Sequence, residues 1–175
     1  YAAFFGESML NEKGVRLTWV APFDTYLMLG GEVSQGENPM SFGRSGFSDP
    51  KGSITVQESD GPDLAVAYAK TSFDHENLTF LLGISHASGM TRLNQGLERG
   101  EPLSRADYGR TRITGMDMTI KYLIDSIRCL SFQAEYLLRS RQGLHYRWAG
   151  EEGVVIHPWD SRQAGFYGQL VGRFS

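Results

Sequence analysis

The sequence predicts an all-β chain, about seven strands of an antiparallel up-and-down transmembrane β-barrel that is part of a larger barrel. Three observations carry this expectation. Apolar and hydrophilic side chains alternate over long stretches, helical periodicity is hard to find, and the connections between the alternating stretches are short and long in turn. The chain has 175 residues, 41% hydrophobic and 21% charged, with one Cys and a net charge of −3. That length suits a segment of a single barrel domain over 1–175. The mildly acidic balance leaves no basic footprint for nucleic acid, and one cysteine excludes an internal disulfide framework. No run approaches the apolar length of a membrane helix. That excludes a spanning helix and leaves a barrel open, because barrel strands alternate. The chain begins at Tyr1 without an initiator Met and stops at Ser175 inside an expected strand, which suggests a piece of a longer protein.

The first strand is expected near 14–22, where Val15, Leu17, Trp19 and Ala21 alternate with Arg16 and Thr18. The second, near 25–36, is rich in strand formers, but Gly30 and Gly31 blur its faces. In the third, near 63–72, Leu64, Val66 and Tyr68 alternate with small alanines. In the fourth, near 77–90, Leu78, Phe80, Leu82 and Ile84 alternate with Thr79, Gly83 and Ser85. The fifth, near 110–122, is the clearest: Met116, Met118, Ile120 and Tyr122 face one way, Gly115, Asp117, Thr119 and Lys121 the other. The sixth, near 128–141, sets Leu130, Phe132, Ala134, Tyr136 and Leu138 against Ser131, Gln133, Glu135 and Arg139. The seventh, near 162–174, opposes Phe166, Gly168, Leu170 and Phe174 to Tyr167, Gln169 and Arg173. Most of these exceed the roughly 5–6 residues of a soluble strand and reach the ~9–11 residues of a spanning one.

Phe23-Asp24, the residues 73–76 and the residues 123–127 make short connections, whereas 37–62, 91–109 and 142–161 are long and polar. Tight turns at one end and extended loops at the other are the asymmetry of an outer-membrane barrel. With Ser126 at the turn centre, Lys121 faces Ser131, Thr119 faces Gln133 and Asp117 faces Glu135, while Ile120 meets Phe132 and Met118 meets Ala134. The Asp117–Glu135 juxtaposition needs a cation such as Arg139 or Lys121 nearby. Trp19, Phe23, Phe73 and Tyr122 gather near the short turns, as an interfacial girdle would.

Phe5-Gly6-Glu7, LNEKGVRLTWVAP (10–22), TGMDMTIKY (114–122), SFQAEYLLRSRQG (131–143) and GFYGQLVGRF (165–174) resemble a family of zinc-regulated TonB-dependent outer membrane receptors. The resemblance implies a transport barrel in the outer membrane of a Gram-negative bacterium, surrounded by outer-membrane lipid. Its cargo would be a small solute, with zinc or a metal complex suspected, and TonB would be a partner through regions not present in 1–175. The segment departs from that family in having no plug domain and no TonB-contacting stretch.

If the apolar faces meet lipid, Asp117, Thr119, Lys121, Gln133, Glu135, Arg139 and Arg173 line the lumen. There they either tune solute selectivity or form a salt-bridged network that fills the interior. The loop 144–160 holds His145, Glu151, Glu152, His157 and Asp160, a mixture of hard and borderline metal ligands. Folded over a pore, these could capture zinc; as a solvated outer loop they would do nothing of the kind. Cys129 reads as an incidental thiol at lumen parity. No nucleophile–base set or phosphate-loop pattern occurs, so neither enzymatic activity nor a cofactor is expected. The function expected is passage of small solutes through a polar lumen. The alternatives are a soluble or secreted β-sandwich or lipocalin-like binding module, which would turn the apolar face inward, and a passive porin without a metal role.

Overall fold

Pairing between neighbouring strands, rather than packing between layers, organises the described residues, which are 13–38, 41–96 and 104–174 of the computed structural model. The quoted stretches at 5–7 and 10–12, and 97–103 of the connection 91–109, lie outside them. The strands are β1 (Gly14–Val20), β2 (Tyr26–Ser34), β3 (Phe47–Ser48), β4 (Thr55–Val56), β5 (Leu64–His75), β6 (Leu78–Gln95), β7 (Arg105–Leu123), β8 (Cys129–Trp148) and β9 (Val154–Arg173). Seven of them form one antiparallel sheet in the order β1-β2-β5-β6-β7-β8-β9, and β3 and β4 make a separate small hairpin. Each large strand pairs with the one before it in the sheet, as in a meander, and β1 and β9 stand at the two edges. No helix among the described residues is long and apolar enough to cross a membrane, which leaves strands unaddressed.

The seven expected strands are all present, and five are longer than their alternation indicated, β5 running on to His75 where a turn over 73–76 is expected. β6 runs on to Gln95, and β7 begins at Arg105. The connection expected over 142–161 is mostly strand: β8 continues to Trp148, β9 starts at Val154, and a 3₁₀ turn at Gly150–Glu152 joins them. Alternation fails there because both faces of these strands are polar, as in Ser140, Arg141, Gln142 and Gly143. A backbone ladder needs a hydrogen-bonding neighbour, not an apolar face. Each long strand supplies that neighbour to the next.

The short connection between β7 and β8 behaves as its sequence suggests. Lys121 pairs with Ser131, Thr119 with Gln133, Asp117 with Glu135, Ile120 with Phe132 and Met118 with Ala134, so the turn is centred on Ser126. Gly83, opposite Asp117 on its other side, accommodates the two facing carboxylates. A Cβ at Gly83 would collide with the Asp117 carboxylate, which therefore leans over the glycine. Gly30 has the same use: the Tyr68 ring lies across it, and the Tyr68 hydroxyl sits 2.8 Å from Thr18 Oγ1, two strands away.

Asp125 builds the turn between β7 and β8. Its carboxylate accepts the backbone N–H groups of Ile127 (2.9 Å) and Arg128 (2.7 Å) and the Arg128 guanidinium Nε–H (2.6 Å). These bonds, the Arg128 amide foremost, hold the Asp125 carboxyl below its ordinary titration range. Because folding depresses this acid, its contribution to stability is present above the unfolded-state value and is lost as pH falls through the folded one. Asp125→Ala is therefore expected to lower the unfolding midpoint at neutral pH, and the gap from wild type should close in strong acid. Thermal unfolding of both proteins across pH checks this; a gap that persists in acid would assign the loss to something other than the ionised carboxylate.

Candidate functional site

The sheet register sorts side chains onto two faces. All seven residues expected to line a lumen share one of them: Asp117, Thr119, Lys121, Gln133, Glu135, Arg139 and Arg173. Arg16, Glu32, Lys70, Arg141 and Gln169 join them on that face from neighbouring strands. The groups are linked across strands: Arg16 Nε donates to Glu32 at 2.7 Å, and Gln169 Nε2 donates to Gln133 Oε1 at 3.0 Å. The opposite face carries Leu17, Leu29, Ile84, Met116, Phe132, Tyr136, Phe166 and Leu170, all exposed. Leu17 is 78% exposed, Phe166 74% and Leu170 70%.

The connection between β2 and β5 folds back onto the polar face, which sequence reasoning missed. Phe42, fully buried, packs on Leu64, Ala87 and Ile113, with Val66 and Leu137 beside it. Gly89 makes the space, since a Cβ there would meet the Phe42 ring. Ser41 is fixed from two sides: its carbonyl accepts the Thr91 hydroxyl at 2.9 Å, and its own hydroxyl accepts Arg139 Nη1 at 2.9 Å. Asn38 shapes the approach, accepting the Ser41 N–H on its side chain (3.1 Å) and the Phe42 N–H on its carbonyl (2.9 Å). An aromatic residue framed by Asn, Ser and Gly in a polar segment was the available signal, but alternation cannot show where such a residue docks.

The segment then crosses the sheet where β5 has ended. The Gly43 N–H donates to the Met90 carbonyl (3.2 Å), and the Arg92 N–H returns to the Gly43 carbonyl (3.0 Å), so Gly43 completes the β6 ladder in place of β5. Beyond it, Phe47 is buried edge-on against Tyr146 with centroids 5.1 Å apart, beside Ala106. Asp49 closes the β3–β4 turn, accepting the Ile54 N–H (2.6 Å), the Ser53 hydroxyl (2.9 Å) and the Lys51 N–H (3.2 Å). Those bonds, led by that of Ile54, hold its carboxyl below the usual range. Arg44 pairs with Glu58 at 3.0 Å, and Arg92, paired with Asp63, lies over the Tyr108 ring at 5.7 Å. The described residues of this connection are thus tied to the sheet at several points.

The five candidate metal ligands do not converge. His145, in β8, bonds through Nδ1 to Asp107 at 2.6 Å and faces His157 across the register. Asp160 sits on the opposite face, where it accepts Gln142 Nε2 at 3.2 Å. Glu151 and Glu152 are exposed in the 3₁₀ turn. Among the described residues no three His, Cys, Asp or Glu side chains are grouped to hold a metal ion. The strand pleat separates them: His157 and Asp160 are three residues apart and so point to opposite faces. Asp107, the partner His145 does have, was hidden in a stretch that reads as loop.

No protein-family model matches the chain, and no solved structure matches it. It is similar to an uncharacterized protein of Aquifex aeolicus (strain VF5), with 46% identity over 174 residues, covering 99% of this chain and 35% of that protein. The chain thus spans about a third of the length of the relative it matches.

Phe42 is the anchor of the in-folded segment. Phe42→Ala should remove about 3–5 kcal/mol of packing and release the stretch around Phe42 from the polar face while the seven-stranded sheet and the Phe47 cluster on its other face persist. Limited proteolysis checks this: cleavage within 41–62 should accelerate in the variant, with the far-UV strand signal unchanged.

Proposed function

We propose that this chain is part of an outer-membrane β-barrel that passes small polar solutes along its polar face, with the stretch around Phe42 narrowing the passage. The observation that carries the reading is the exposed apolar face. Side chains as large as Leu17, Phe166 and Leu170 stand open on one side of a sheet whose charged residues all favour the other side over the same stretch. Exposed apolar surface this extensive calls for a cover, and hydrocarbon needs no second protein layer to supply it. The outward apolar run of β8 over 130–138 matches the ~9–11 residues of a spanning strand. Beyond it the same face turns polar at Ser140, Gln142, Asp160 and Arg162, where strands would rise out of the bilayer.

Trp19, Phe73 and Tyr122 lie on that apolar face beside the short turns, and Phe73 stacks on Phe80 with centroids 4.8 Å apart. Amphipathic rings at one level suit a membrane–water boundary. Among the described residues His145, Glu151, Glu152, His157 and Asp160 form no group of three that would hold a metal, and what the polar face offers a solute is polarity and charge. Transport by the whole protein, its seat in the outer membrane and any coupling to TonB belong to this proposal.

A matched pair of variants tests it. Phe132→Arg, on the apolar face, should cost roughly 2–4 kcal/mol of folding stability in lipid vesicles, while Gln133→Arg, its neighbour on the polar face, should cost far less. Denaturant unfolding from vesicles measures both. Equal costs, or a protein that stays monodisperse without detergent and shields Phe132, would favour the β-sandwich reading, in which a second sheet covers that face.

A further inference from the structure

High on the polar face, between the ends of β6, β7, β8 and β9, a recess of about 370 Å³ is lined by Arg105, Asp107, Arg139, Arg141, His145 and Trp159 among others. The register explains the space. Gly109 pairs with Gly143 between the Asp107–His145 and Thr111–Arg141 pairs, so no side chain rises between them. A Cβ on either glycine would run into the opposing backbone.

Its chemistry is lopsided. Three guanidinium groups face one carboxylate, and that carboxylate, Asp107, is already engaged by His145. Arg139 is held by Ser41 and Gln163, and Arg105 Nε bonds Gln95. Arg141 differs: it lies over the Trp159 ring at 4.9 Å, and its Nε is buried with no hydrogen-bond partner. Trp159 Nε1 is likewise buried without an acceptor. Stacking uses the flat face of a guanidinium and leaves its edge, with the donors, for an acceptor in the plane. The carboxylates Asp117 and Glu135 cannot neutralise the recess: at ~3.3 Å per residue, Glu135 lies about 20 Å along β8 from Arg141, beyond a Debye length of about 8–10 Å.

We propose that this recess binds a small oxyanion, a carboxylate or phosphate group of a solute, with Arg141 and Arg105 as its principal donors. A site with surplus fixed donors and net positive charge favours a ligand that brings only acceptors and negative charge. The proposal deepens the transport reading, on which it rests only for the route by which the anion arrives. It adds a preference: solutes carrying oxyanions would be retained over cations.

The test reads binding directly in the full-length protein in detergent, independently of transport. The ¹H–¹⁵N resonance of the Trp159 indole, assigned by its loss in Trp159→Phe, is followed while inorganic phosphate, citrate or sodium chloride is added at constant ionic strength. The expected result is a saturable shift with phosphate or citrate but not with chloride, the tighter of the two naming the ligand class. Arg141→Gln and the exposed Arg105→Gln should each weaken it about tenfold or more, and Arg141→Lys should fall between wild type and Arg141→Gln. Arg162→Gln, which removes the same charge from the opposite face, should leave it unchanged. If Arg141→Gln fails to fold, the surface position Arg105 still decides. An indole that moves for neither oxyanion, moves equally for chloride, or responds in Arg141→Gln and Arg105→Gln as it does in wild type overturns the proposal. The Phe132 and Gln133 comparison would stand regardless.

Discussion

From Leu64 to Arg173 the backbone ladder runs without a slip, and each strand hands its register intact to the next. Side chains in a strand alternate with period two, so a single bulge would have exchanged the two faces for every strand beyond it. Its absence lets Lys70, Asp117, Glu135 and Arg141, from three strands, occupy one side of the sheet. The same ladder commits Ile84, Met116, Phe132 and Leu170 to the other side. Every property of the two faces follows from that register.

A sheet sorted in this way has little interior of its own. Its two small buried clusters, around Phe42 and around Phe47, both form where the segment between β2 and β5 touches the sheet. β5 begins only at Leu64, opposite Gly89, while β6 continues to Gln95, which leaves β6 a margin that β5 does not pair. Gly43 fills part of that margin with backbone hydrogen bonds. The segment therefore approaches on the polar side at Phe42 and leaves toward the opposite side at Phe47. Unequal strand lengths, rather than loop composition, determine its path.

The polar face is also divided along its length. Near the short turns it carries both signs, with Lys70, Asp117, Lys121 and Glu135; at the far end guanidinium groups outnumber carboxylates. Ser41 joins these regions to the in-folded segment through Arg139. In the proposed passage a solute would meet mixed charge at one end and positive charge at the other, past the stretch anchored by Phe42.

Alternation by itself determined the seven strands, their antiparallel succession, the Ser126-centred register and the membership of the two faces. These depend on neighbouring residues and a fixed period, which a sequence displays directly. It fell short where strands are polar on both sides: 91–95 and 142–148 read as loop, although a paired neighbour holds them extended. The docking of Phe42, the pairing of Asp107 with His145 and the gathering of Arg105, Arg141 and Trp159 in one recess were decided only by the tertiary structure. Each joins residues many positions apart through strand lengths and cross-strand geometry, and the spacing of residues along one strand carries no record of what the next strand brings beside them.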